Sequence, residues 1–96
     1  MGLAEITVGG VRKALAEFDQ IGREEFLKKY GFGRSRTYFL VVDGRRYDSK
    51  AIAGAAYSYD FPDRDPLTRF SGGDKRTAHV LRGLGFAVPG PGALKE

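Results

Sequence analysis

The chain has 96 residues, enough for one small domain with a modest core. It contains no cysteine and a single histidine, His79, which excludes a disulfide scaffold, a cysteine nucleophile, a thiolate zinc site and any multi-histidine metal centre. Lys and Arg number 16 against 12 Asp and Glu, a formal charge of +4 that permits a nucleic-acid partner without requiring one.

The first predicted element is a helix over Val8–Gln20. Val8, Val11, Leu15 and Phe18 recur at spacings that form one apolar stripe. Thr7 is placed to cap it and Gly22 to end it. A second helix, Arg23–Tyr30, turns Phe26, Leu27 and Tyr30 inward, and Gly31 ends it. Glu24 and Glu25 in its first turn and Lys28 and Lys29 in its last suit the helix dipole.

Thr37–Val42 and Arg45–Asp48 flank Asp43-Gly44, the dipeptide favoured by a two-residue type I′ turn. That loop sets Val42 opposite Arg45, Val41 opposite Arg46, Leu40 opposite Tyr47 and Phe39 opposite Asp48. One face then carries Tyr38, Leu40, Val42, Arg45 and Tyr47, and the other Phe39, Val41, Arg46 and Asp48.

A third helix, rich in Ala and Gly, runs from Ser49 or Lys50 to Tyr59, with Asp48 or Ser49 as its cap. Pro62 and Pro66 mark residues 60–70 as a loop. Ser71 caps a fourth helix, Gly73–Leu84, with Asp74 placed as in a capping box. Gly85 ends it, and Phe86–Val88 forms a short strand. Residues 1–88 are thus one domain, and 89–96, rich in Pro and Gly, a flexible linker or tail. The fold class is α+β, order α-α-β-β-α-α-β: a β-hairpin plus a short third strand packed on four helices.

Enzymatic readings fail on their site requirements. Asp48-Ser49-Lys50 has the shape of a nuclease D-x-K motif, but Asp43, the nearby upstream acid, sits in a turn, and a magnesium site needs converging carboxylates. A helix cap explains Asp48 more simply. No nucleophile elbow accompanies His79, and Gly31-Phe32-Gly33 does not follow a strand. No catalytic residue, metal or cofactor is expected. No apolar run reaches the ~20 residues of a membrane span and no signal peptide is evident, so a cytoplasmic location without membrane contact is expected.

The charge surplus is uneven. Residues 1–30 carry five basic and five acidic groups, whereas 31–60 and 61–96 each carry a net +2. Lys75, His79 and Arg82 share one face of the fourth helix, with Ala78, Leu81 and Leu84 on another; such a basic face can lie along DNA phosphates or simply be solvated. Ser71-Gly72-Gly73 and Asp48-Ser49-Lys50 are helix starts able to hold a phosphate, the plain alternative being ordinary capping. Arg34, Arg36, Tyr38, Arg46, Tyr47, Lys50, Tyr57 and Tyr59 interleave cations with rings that can stack on bases or pack in the core.

Together, Arg36-Thr37-Tyr38-Phe39-Leu40, Gly44-Arg45-Arg46-Tyr47-Asp48-Ser49-Lys50-Ala51-Ile52-Ala53-Gly54, Phe70-Ser71-Gly72-Gly73 and Leu81-Arg82-Gly83-Leu84-Gly85-Phe86 resemble the N-terminal head domain of ScoMcrA-like HNH endonucleases. These are type IV restriction enzymes that attack modified DNA. The similarity runs over Val11–Val88, and the Gly44–Ile52 block is its specific part. The resemblance implies a non-catalytic targeting module whose nuclease lies elsewhere in the enzyme.

The reading that joins these features is binding of double-stranded DNA with preference for a modified base, 5-methylcytosine or 5-hydroxymethylcytosine being the first expectation. Arg34, Arg36, Arg45 and Arg46 would meet phosphates or a groove. Ser49, Lys50, Ser71, Gly72 and Gly73 would hold phosphates at helix starts. Tyr38, Tyr47 and Tyr57 would line a base-reading surface, and Lys75, His79 and Arg82 would extend the contact. The rival is a protein-interaction or dimerisation module, a homodimer or a contact with other domains of the same endonuclease. It expects basic residues dispersed in ion pairs.

Overall fold

The computed structural model describes residues 3–35, 37–67 and 73–89. A short 3-10 turn, Leu3–Glu5, precedes α1 (Val8–Ile21) and α2 (Arg23–Tyr30). The hairpin β1 (Phe39–Val42) and β2 (Arg45–Asp48) follows, then α3 (Ser49–Asp60) and α4 (Gly73–Gly83). The 3-10 turn was not expected. Its Leu3, with Ile6, is buried in the core.

The α1 stripe is buried through Val11, Ala14, Leu15 and Phe18. Thr7 caps the helix as expected, its Oγ1 accepting from Gly10 N at 3.1 Å. The same hydroxyl donates to Asp60 at 3.0 Å, and Asp60 also accepts from Thr7 N at 2.8 Å, so the end of α3 is tied to the start of α1. A single residue, Gly22 at φ 90°, separates α1 from α2.

Helix α3 is the centre of the molecule. Ala51, Ile52, Ala53, Ala55 and Ala56 are all essentially inaccessible. Its small residues are a packing requirement: a Cβ on Gly54 would meet the Phe32 ring at 2.6 Å and the Leu67 carbonyl oxygen at 3.1 Å. Phe18, Phe26 and Tyr47 form a ring cluster beside it, with centroids 4.9 to 5.0 Å apart.

The hairpin register matches the expectation at all four pairs: Val42↔Arg45, Val41↔Arg46, Leu40↔Tyr47 and Phe39↔Asp48. Asp43 and Gly44 both take positive φ, 51° and 79°, as a type I′ turn requires. Leu40 and Tyr47 face the core. The expected third strand is reduced to one antiparallel bridge, Val41↔Ala87, in which Val41 N donates to Ala87 O at 2.9 Å. The next ladder pair would set Pro89 opposite Phe39, and Pro89 has no N–H to offer.

Candidate functional site

The expected DNA-binding residues fall into three groups. The first is buried. Tyr47 is 4% exposed and its hydroxyl donates to Asp19 at 2.9 Å. Burial first, then that bond to Asp19, pushes this hydroxyl above its usual 10.0. Tyr57 is 6% exposed, and its hydroxyl accepts from Arg64 at 3.3 Å. Ser49 has no exposure; its hydroxyl donates to the Tyr38 carbonyl at 3.1 Å, closing the start of α3 to an outside anion. Each of these three side chains, expected to read bases or hold phosphates, fills an internal bond because strand and helix packing turns it inward. Tyr38 is half-buried, and Lys50 is half-buried and engaged within the domain.

The second group is neutralised. Arg45 donates to Asp19 at 2.8 Å, and Arg34 pairs with Glu24. Arg23–Asp48, Lys29–Glu17 and Arg64–Glu5 are similarly paired. These contacts join groups 10 to 59 residues apart in sequence and have no signature in local spacing. The expected Asp48 cap holds in position alone. Asp48 stands at the cap position of α3 but makes no capping bond. Its side chain is 2% exposed, receives two bonds of 2.8 Å from Arg23, and accepts a third from Ser35 N at 2.8 Å. A carboxylate this buried goes to the cation, because an isolated buried charge is costly.

The third group is exposed and has no carboxylate partner among the described residues. Lys75, His79 and Arg82 lie on the outer face of α4, with Ala78 and Leu81 buried behind them. Arg76, which the one-face reading passed over, is exposed beside them; the Lys75-Arg76 pair in the sequence was the available signal. Residues 75–88 contain no Asp or Glu, and none of the described residues pairs with Lys75, Arg76 or His79. Arg82 donates through Nε to the Val88 carbonyl at 2.9 Å, a neutral partner that leaves its charge uncompensated. Arg46 is exposed, with its guanidinium 5.6 Å above the Phe39 ring. Arg36, Ser71 and Gly72 lie outside the described residues, and of Gly73 the structure gives only its place at the start of α4.

Among the described residues no cluster of three His, Cys, Asp or Glu is arranged to hold a metal, and no helix is long and apolar enough to cross a membrane.

Comparison with known proteins bears on what such a domain is for. A family model described as ScoMcrA-like, N-terminal head domain matches residues 4–90. The chain belongs to the ScoMcrA-like head-domain family. A solved structure of the type IV phosphorothioation-dependent restriction endonuclease ScoMcrA is 37% identical, with a TM-score of 0.67. The alignment covers 90% of this chain and 13% of that one. The ScoMcrA-like domain is therefore a non-catalytic module, a small part of the length of the enzyme it resembles. No curated protein matches this head domain.

Proposed function

We propose that this head domain is a double-stranded DNA-binding targeting module of a modification-dependent, type IV restriction endonuclease. The observation that carries the reading is the division of charge. Among the described residues Arg23, Lys29, Arg34, Arg45 and Arg64 are paired with carboxylates, whereas Lys75, Arg76, His79 and Arg82 stand together on residues 75–88, which contain no Asp or Glu. Such a face attracts the phosphate backbone and releases its counterions.

The contact is with the duplex backbone rather than with a base turned out of the stack. Extrusion of a base needs an aromatic pocket to offset its unstacking, and Tyr47 and Tyr57 are engaged in the core. Backbone contact also fits the solved relative, which depends on phosphorothioation, a change in the DNA backbone. For this chain that modification joins 5-methylcytosine and 5-hydroxymethylcytosine as a candidate.

The test is an anisotropy titration with duplexes that are unmodified, phosphorothioated, 5-methylated or 5-hydroxymethylated, at several salt concentrations. Binding is expected in the micromolar range, weakening as salt rises from about 50 to 200 mM. K75A/R76A is expected to reduce the salt slope by about two. Absence of binding to every duplex at low salt overturns the proposal.

The alternative, a module that positions the nuclease through protein contacts or self-association, draws on the five ion pairs among the described residues, which engage Arg23, Lys29, Arg34, Arg45 and Arg64. It predicts a concentration-dependent rise in mass by sedimentation with no DNA affinity.

A further inference from the structure

We propose that the open face of the hairpin joins α4 in a single duplex-binding surface, with Arg46 stacked on Phe39 as its anchor. This rests on the DNA-binding reading above and adds a second element to it.

The strand register decides which side chains are available. Alternation puts Leu40 and Tyr47 into the core and Phe39, Val41 and Arg46 on the opposite face, where Phe39 and Val41 stay half-buried and Arg46 exposed. The bridge from Val41 adds exposed Ala87 to the same surface. Arg45 and Arg46 are neighbours with opposite fates. Arg45 sits on the inner-face register beside Tyr47 and is neutralised by Asp19. Arg46 meets only a ring among its described partners, and a ring holds a guanidinium in place without consuming its N–H donors. Those donors suit a phosphate, which a guanidinium can grip in a bidentate fashion. Asp48, the acidic residue sharing this face, is buried under Arg23.

Continuity with α4 runs through Arg82, which holds the Val88 carbonyl next to Ala87. From Arg46 to the 86–88 segment is two strand spacings, ~10 Å. The surface is therefore an apolar strip of Phe39, Val41 and Ala87 with an arginine at each border. Its positive borders and acid-free lining are complementary to a polyanion that also offers apolar sugar edges. That occupant is a B-form duplex.

The experiment is anisotropy titration of an unmodified duplex against wild type, R46Q, F39L and R45Q, with thermal melting to show that each variant is folded. R46Q is expected to weaken binding about tenfold and to lower the salt slope by about one. F39L is expected to weaken binding by a few-fold without changing the slope, since the ring carries no charge. R45Q is expected to stay within about twofold of wild type, because its charge is already compensated. Wild-type binding that is lost in K75A/R76A but unchanged in R46Q and F39L overturns this inference and leaves the DNA-binding reading in place. Absence of wild-type binding overturns both.

Discussion

Arg23 grips the Asp48 carboxylate through two parallel hydrogen bonds of 2.8 Å, one from Nε and one from Nη2, joining the start of α2 to the junction of β2 and α3. The two partners are not equivalent. The Arg23 side chain is 38% exposed, whereas that of Asp48 is 2% exposed.

That asymmetry orders two substitutions. R23M leaves a dehydrated carboxylate with the Ser35 amide as its remaining described bond and is expected to cost about 3 kcal/mol. D48N keeps an oxygen for Ser35 and leaves an arginine that water can reach, so about 1–2 kcal/mol is expected. Urea unfolding of both variants reads the order; a larger loss in D48N contradicts the assignment of Asp48 as the dehydrated partner.

Gly54 sets how closely α3 can be approached. Ala is the better helix former by ~1 kcal/mol, yet G54A drives a methyl group against the Phe32 ring and the Leu67 carbonyl. A net loss of about 1–3 kcal/mol is expected from overpacking. Gly83, with nothing within 4 Å of a built Cβ, is the matched control, and G83A is expected to be neutral or slightly stabilising in the same thermal melts.

Glu17 governs the pH range of the fold. Burial pushes its carboxyl up, but hydrogen bonds from Lys29, Tyr30 and Tyr59 outweigh burial and hold it below the ordinary 4.5. Its stabilisation is therefore full above about 4.5, the unfolded value, and is lost as pH falls through the lower folded value. Tyr30 and Tyr59 are pushed above 10.0, first by burial and then by the bond to Glu17. Their contribution is full below 10.0 and is lost as pH rises through their folded values. Denaturant midpoints across pH are expected to form a plateau between these limits. E17Q is expected to flatten the acid limb, and an unchanged limb excludes Glu17 as its source.

The Arg82–Val88 contact is expected to control the edge of the sheet. R82Q removes the Nε bond that holds the Val88 carbonyl, so the 86–88 segment loosens and the Val41 amide loses its partner at Ala87. Hydrogen exchange by NMR is expected to show faster exchange at Val41 with little change at the α3 amides. Equal protection at Val41 in both proteins contradicts this role.

The elements and the hairpin register were legible because their causes are local. Asp43-Gly44 dictates a turn, the turn dictates a register, and α1 shows its stripe at Val11, Leu15 and Phe18. The candidate site was legible only in part, since its sorting is tertiary. Arg45 and Arg46 are equivalent in composition, and Asp19, 26 residues upstream of Arg45, separates their roles. Tyr47 and Tyr57 satisfy any pattern for an aromatic–basic surface, yet the core claims them. Asp48 carried a usable signal: the register set it opposite Phe39, on a strand leading straight into a small-residue helix, where a carboxylate needs a cation.

The single Val41–Ala87 bridge also has a mechanical meaning. A pull on the backbone beyond Val88 meets two attachments in close succession, the Arg82 guanidinium on the Val88 carbonyl and the Val41 amide on the Ala87 carbonyl. The first carries the load to α4 and the second to β1. Tension at this end is thus divided between the two elements proposed to grip the duplex before it reaches α3.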